Sequence, residues 1–442
     1  MATAEPAASL STAAPARPQF SAGSSGVHGT FPPFPPGQSS IPETALYMLW
    51  DMTTGLVRYC SVYDTMNRPN TCATEVGTAQ IQGIPEGGLK TGVFEFVDVN
   101  VVASPSVGVL LVYPVNNVWN APLTILSQNT VRFTGVQLWA DGMPGQGNSG
   151  PLLPSISLPG GLGGPGGFAG GSGGMPSTVV VEGSSGFGPA GGKGSGVEGC
   201  GAPTQPRSGL SADVTPPGLG MIGGSGGGGG SSSTNCSVGR NQGGSGGGGG
   251  GAVLIGADDV IDLNGFITVA GGASGPTFCG CMNGGAGAGG TLRITAPIIR
   301  GNPTLNLTGG FDWFLGPVSG GILTVEGNTS AFSPTIQGTP STSVSATPEP
   351  IVAPQTPTLR ITAIGTLEVP PDPRGVFSTP DVILPEAPAG PVTVALAASN
   401  VPVGTEVTVR VTPQAGNATE VISSALVGTA ASSSASADVT LP

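Results

Sequence analysis

The sequence predicts an all-β protein, in which a parallel β-helix (solenoid) with long glycine-rich loop insertions is followed by a C-terminal β-sandwich. Three observations predict this fold. Glycine and proline fill more than a quarter of the chain, with 79 and 44 of its 442 residues. Apolar residues form short β-branched runs that alternate with polar residues, as in strands with one buried face. Related segments of such strands recur along the middle of the chain.

The low charge content favours ordered structure, and the acidic net charge argues against nucleic acid as a partner. The short apolar runs argue against a membrane span. Only 9% of the residues are charged, whereas disordered chains are usually rich in charge. The net charge is −12, and lysine occurs only at Lys90 and Lys193. Without a basic patch we expect no nucleic acid as a partner. No apolar run reaches the length of about 18 residues that crosses a bilayer, so we expect no membrane span.

An internal repeat covers residues 92–330. One unit is too short to bury its own apolar face, so we expect the units to stack as successive turns of a β-helix. The glycine-rich tracts leave after the third strand of each unit and should therefore emerge along one edge. The units are APLTILSQNTVRFTGVQLWADG at 121–142, GAVLIGADDVIDLNGFITVAGG at 251–272 and GTLRITAPIIRGNPTLNLTGG at 290–310, with divergent or truncated copies at 93–114 and 320–331.

The longest glycine-rich tract is an insertion at 143–250, and it allows two interpretations. It is either flexible coil or a layer of packed polyproline II strands, and the sequence leaves both open.

The other predicted parts are a Pro/Ala/Gly-rich extended arm at 1–42, an aromatic, disulfide-stapled cap at 43–91, a linker at 331–357 and a β-sandwich-like module at 358–442.

The cysteines predict structural disulfides and hence an oxidising compartment. Their pairing cannot be read from the sequence, although Cys60 with Cys72 is favoured because both lie in the aromatic cap. Free thiols are the alternative, and zinc is disfavoured because the only histidine, His28, lies in the arm. The six residues are Cys60, Cys72, Cys200, Cys236, Cys279 and Cys281. Residues 1–20 show no signal peptide, which leaves the export route open.

Two clusters are candidate sites. The aromatic residues Tyr47, Trp50, Tyr59 and Tyr63 form either the core of the cap or a surface that stacks on sugars. The carboxylates Asp258, Asp259 and Asp262 are turn residues at strand corners in the favoured interpretation, and a calcium site is the weaker alternative. The neighbouring repeat offers no acidic partner at matching positions, and no histidine or lysine lies in the strands of the repeat. We therefore predict no catalytic residue and no cofactor.

Six segments follow one another along the chain in a distinctive order. They are VFEFVDVNV at 93–101, LTILS at 123–127, PGGFAGG at 165–171, GGGAVLI at 249–255, GAGGTLRITA at 287–296 and AASNVPVGTEVTVRVTP at 397–413. These segments resemble secreted glycine-rich bacterial proteins with a β-helix-like repeat region and a C-terminal β-sandwich-like module. The resemblance implies an extracellular or cell-surface protein and no chemistry.

We expect a structural protein that self-associates into a filament or surface layer, and not an enzyme. An adhesin or carbohydrate-binding surface protein is the alternative, and a polysaccharide-degrading β-helix enzyme is a remote one.

Overall fold

The computed structural model contains strands, turns and extended segments, and no helix among the residues that it describes. The all-β prediction is confirmed for this part of the chain. The described residues are 20–35, 38, 40–61, 72, 74–84, 88–89, 91–106, 108–118, 120–147, 157–175, 181–194, 221–232, 242–277, 283–312, 316–349, 351, 358–370, 381–384, 390–399, 401–413, 418–429 and 432–441.

Eighteen strands precede the C-terminal module. Sixteen of them form one large sheet system, and β14 and β15 form a separate two-stranded ribbon. In chain order they are β1 (Thr30–Phe31), β2 (Tyr47–Asp51), β3 (Leu56–Cys60), β4 (Glu75–Gln80), β5 (Val93–Phe96), β6 (Asp98–Val102), β7 (Leu110–Val115), β8 (Leu123–Ser127), β9 (Thr130–Trp139), β10 (Ala252–Ala257), β11 (Val260–Thr268), β12 (Thr291–Gly301), β13 (Thr304–Asn306), β14 (Phe311–Asp312), β15 (Gly316–Pro317), β16 (Ile322–Phe332), β17 (Thr335–Gln337) and β18 (Ser341–Ser345).

The repeat segments stack in three parallel rows. The first row runs β5, β8, β10, β12, β16 and β18. The second runs β6, β9, β11, β12 and β16, and the third runs β7, β9, β11, β13 and β17. The segments near residues 121, 251 and 290 are therefore direct neighbours, as predicted. The sheet system as a whole is mixed, because β2, β3 and β4 pair antiparallel beside the third row.

Side chains of successive segments stack in register and form the core. In the first row Ile125, Ile255 and Ile294 are paired in register, and all three are fully buried. Because residues two apart on a strand share a face, each segment contributes several such residues to the same interior. At about 25 cal/mol per Å² of apolar surface, these ladders supply the main favourable term for folding.

The glycine-rich tracts leave after the third-row strands and pack against one another. In the tract at 243–251, every third backbone N–H donates to the same neighbouring tract. Gly246 and Gly249 donate to Gly171 and Phe168, Gly247 and Gly250 donate to Gly285 and Ala288, and Gly248 and Gly251 donate to Met143 and Ala140, all at 2.8–2.9 Å. Within the described residues of these tracts, the chains are thus held by backbone hydrogen bonds without forming β-strands.

The C-terminal module contains a five-stranded and a two-stranded antiparallel sheet. Val409 of the smaller sheet packs in the same cluster as Val394 and Leu396 of the larger one. The Arg410 guanidinium donates to the carbonyl oxygens of Gly188 (2.7 Å), Gly191 (3.3 Å) and Gly186 (3.4 Å), which joins the module to the glycine tracts. The strands are β19 (Thr358–Ile364), β20 (Leu367–Glu368), β21 (Val392–Ser399), β22 (Thr408–Val411), β23 (Thr419–Ile422), β24 (Val427–Thr429) and β25 (Ser432–Val439).

Candidate functional site

The C-terminal end of the three-row stack presents an open strand edge. Among the described residues, β18 pairs with β16 alone and β17 with β13 alone. Val344 of β18 lies in register with Val325 of β16 and so points to the interior. Val325 is 3% exposed, whereas Val344 is 63% exposed. The apolar interior therefore ends at a surface that is open to solvent in this part of the structure.

The third row ends in the same way. Ile336 of β17 continues the ladder of Ile267 and Leu305, both of which are buried, yet Ile336 is itself exposed. The backbone of β18 adds donors for which the described residues provide no acceptor. Ser341 N–H donates to Gly321 O at 2.9 Å, so alternate residues of β18 bond with β16. The amides of Thr342 and Val344 consequently face the open edge. Such an edge is a template for another strand.

The opposite end of the stack is covered by the N-terminal arm. The arm runs beside β5 and β6, with Val97 N–H donating to Gly29 O at 2.7 Å and His28 N–H to Glu95 O at 2.9 Å. Strand β1 then pairs parallel with β6, Phe31 lying opposite Val99. The two ends of the stack therefore differ, because one is closed by the chain itself and the other is not closed by any described residue.

The only histidine of the chain holds this arm in place. The Glu95 N–H donates to Nδ1 of His28 at 2.7 Å, and the imidazole lies 5.8 Å from the ring of Phe94. Burial lowers the pKa of His28 below its ordinary value of 6.5, and the Glu95 carboxylate opposes this shift only in part. The folded chain therefore favours the neutral imidazole, whose Nδ1 is an acceptor.

We expect the His28 contact to weaken as the pH falls below 6.5. The unfolded chain binds the proton first, so stability declines between pH 6.5 and the lowered pKa of the folded state, and is constant in this respect above pH 6.5. One proton gives a slope of at most about 1.4 kcal/mol per pH unit. Urea unfolding at pH 7.5 and pH 5.5, followed by tryptophan fluorescence, measures the loss. His28→Gln should remove this component, and an unchanged pH dependence in that variant would contradict the assignment.

The predicted aromatic cluster is a core, and the sugar-stacking interpretation is wrong for the three of its residues that the structure describes. Tyr47, Trp50 and Tyr59 are all at most 1% exposed. The Trp50 ring lies 4.5 Å from that of Phe31, and the Tyr59 hydroxyl donates to Pro33 O at 2.6 Å. Burial raises the pKa of Tyr59. A ring enclosed on both faces cannot stack on a ligand. Tyr63 lies outside the described residues.

The predicted carboxylate cluster does not converge on a common point. Asp262 accepts from Nε of Arg300 at 3.0 Å and lies 3.7 Å from Nε of Arg132, in a ladder across three segments. Asp258 instead accepts from the backbone N–H of Ala22. Within the described ranges, no three His, Cys, Asp or Glu residues are placed to hold a metal ion. The described geometry therefore gives the weak calcium candidate Asp258, Asp259 and Asp262 no common site, and two of these carboxylates contact cationic or amide groups of the chain.

One predicted disulfide is present. Cys60 and Cys72 are bonded, with their Cα atoms 5.5 Å apart, which confirms the favoured pair. The bond joins the end of β3 to the segment before β4. Cys200, Cys236, Cys279 and Cys281 lie outside the described residues.

A groove with a volume of about 440 Å³ lies between the arm and the second row. The exposed ring of Phe34 forms part of its lining, with the polar side chains of Asp98, Asn100 and Arg132. Asn100 and Arg132 are in register on β6 and β9. An apolar ring beside donors and acceptors is a combination that suits a sugar ring.

Among the residues that the structure describes, a second open edge lies in the C-terminal module, and a sequence signal for it is an internal identity that chemical motifs do not reveal. The hexapeptide TLRITA occurs twice, at Thr291–Ala296 in β12 and at Thr358–Ala363 in β19. In β12 its leucine and isoleucine are fully buried, whereas in β19 Leu359 and Ile361 are 49% and 40% exposed. A search for internal identity, and not for chemical motifs, would have found this pair.

Comparison of the chain with protein-family models, with curated proteins and with solved structures found no match. Among the described residues there is also no helix with the length and hydropathy needed to cross a membrane.

Proposed function

We propose that this chain is a secreted structural protein that self-associates through the open end formed by β17 and β18. The observation that carries the proposal is the exposure of Val344. Val325, which pairs with Val344 on the adjacent strand β16, is buried. Adding a strand to β18 would cover Val344 and bond the backbone amides of Thr342 and Val344. A contact between two unlike surfaces repeats from copy to copy, and where the rotation between copies does not close a ring, it produces a filament.

Three finer descriptions of the fold belong to this proposal. The three parallel rows support a β-helix, since each repeat segment contributes to every row before the next segment begins. The hydrogen bonds at every third amide support polyproline II strands in the glycine tracts, because that helix has three residues per turn and no internal hydrogen bonds. The shared core of the two C-terminal sheets supports a β-sandwich.

An extracellular location is part of the same proposal. The Cys60–Cys72 disulfide is consistent with an oxidising compartment. The resemblance to secreted glycine-rich bacterial proteins points the same way. A cell-surface position would also give a self-associating subunit the local concentration that assembly requires.

Sedimentation and electron microscopy over a range of concentrations test self-association. We expect the wild-type chain to form oligomers as its concentration rises. Val344→Lys places a charge at the open end of the interior and should weaken association at least tenfold. Ser343→Lys is the matched control, because Ser343 is also exposed but points to the other face of β18. A wild-type chain that stays monomeric at every concentration, or equal effects of the two lysines, would overturn the proposal.

A polysaccharide-binding surface is the second candidate function, and the groove beside Phe34 and Arg132 is the observation that favours it. Phe34→Ala should reduce retention on the polysaccharide that binds. Phe311→Ala, which removes another exposed ring, should not. Failure of the wild-type chain to bind any member of a panel of neutral and acidic polysaccharides would remove this candidate. We do not extend the proposal to polysaccharide cleavage, since Asp262 is paired with arginines and Asp258 with a backbone amide.

A further inference from the structure

We infer that the strand added to β18 is β19 of a second copy of this chain, so that its TLRITA segment forms the next turn of the neighbouring stack. This inference rests on the proposed self-association and names the segment that performs it. It starts from the fact that the chain carries the same six residues twice, once inside the stack and once on an open edge.

The buried copy shows how the hexapeptide behaves as one turn of the stack. In β12, Leu292 and Ile294 point inward and pair in register with Leu323 and Val325 of β16. The backbone of β12 bonds to β10 along one edge and to β16 along the other. Thus TLRITA is compatible with parallel neighbours on both edges and with a core on one face.

The second TLRITA segment, in β19, has the same apolar face, but this face is not completely covered. Strand β19 pairs with β21 along one edge, and its other edge pairs with β20 only at Ala363 and Ile364. Val369 N–H also donates to Thr362 O at 2.9 Å. Among the described residues, the edge over Thr358–Ile361 is therefore open, and it carries the exposed Leu359 and Ile361.

The two open edges fit each other in register. The ladder at the end of the stack continues from Leu323 to Thr342 and from Val325 to Val344. Placing Leu359 opposite Thr342 puts Ile361 opposite Val344, because both pairs are two residues apart on their strands. The exposed Val344 would then be covered by an isoleucine, as Val325 covers Ile294 one turn earlier.

Complementary charges test this pairing. Val344→Lys and Ile361→Asp should each weaken association at least tenfold, and the double variant should recover most of the loss because lysine and aspartate then face each other. Ile422→Asp is the matched control, since Ile422 is an exposed isoleucine of the same module on a different strand. Far-UV circular dichroism verifies that each variant is folded.

Cross-linking identifies the two strands directly. Chains carrying Val344→Cys, mixed with chains carrying Ile361→Cys, should form a covalent dimer whose linked peptides contain residues 344 and 361. Chains carrying Ser343→Cys in place of Val344→Cys should form much less. If Val344→Lys disrupts assembly while Ile361→Asp does not, self-association stands and β19 is excluded as the partner. If a chain carrying both cysteines links only within itself, a second copy is excluded. A monomeric wild-type chain overturns both proposals.

Discussion

Gly249→Ala is expected to destabilise the protein by roughly 3 kcal/mol or more, at or above the upper end of overpacking effects. A Cβ atom on Gly249 would overlap the carbonyl oxygen and carbon of Gly224. These atoms are backbone and cannot rotate away as a side chain could. The Gly249 amide also donates to Phe168 O at 2.8 Å, so separating the chains would break a hydrogen bond. The loss is measured as a change in the free energy of unfolding in urea.

The control for this experiment is Gly390→Ala. A Cβ atom there would have no heavy atom within 4 Å, and the backbone is not in the left-handed region. We expect no loss, and a gain of up to about 1 kcal/mol is consistent with a less flexible unfolded chain. If the two variants were equally stable, the glycine tracts would not be close-packed in solution.

Ile255→Ala is expected to cost about 2–5 kcal/mol. Ile255 is fully buried in the middle of the ladder, between Ile125 and Ile294 on the adjacent strands. Because both neighbours are held by their own backbone pairing, the interior cannot collapse into the space left by the missing atoms. Urea unfolding of the variant and the wild type gives the difference in free energy.

Truncation to alanine of a residue at the end of the ladder provides the comparison. Val344→Ala removes atoms from the same face two strands beyond Ile294, but Val344 is largely exposed. We expect a change within about 0.5 kcal/mol for the monomer. A large loss at Val344 measured under monomeric conditions would show that the end of the stack is covered in solution, which would contradict the open edge.

The sequence predicted the repeat because its evidence is local. The alternation of polar and apolar residues in segments such as β9 (Thr130–Trp139) shows which residues share a face, and the recurrence of the pattern predicts stacking. The aromatic and acidic clusters were ambiguous for the opposite reason. A tyrosine or tryptophan has the same pattern in a core and on a sugar-binding face, and only the arm beside Trp50 decides the matter.

The carboxylates show the same limit. Asp258 and Asp262 are four residues apart in sequence, yet one contacts the arm at Ala22 and the other contacts Arg300. Neither partner is near in the chain. The choice between coil and packed strands for the glycine tracts was equally out of reach, because a glycine-rich segment has no side chains whose pattern would reveal its neighbours.

By itself the sequence predicted an all-β protein whose middle segments repeat and lie side by side, and it favoured Cys60 with Cys72 among the possible cysteine pairs. These properties follow from the periodicity of side chains along the chain and from short separations in sequence, and both are local. Only the tertiary structure decided which edges are open and which are covered, since the exposure of Val344 or Leu359 depends on strands distant in the chain. The proposed function rests on that second kind of information.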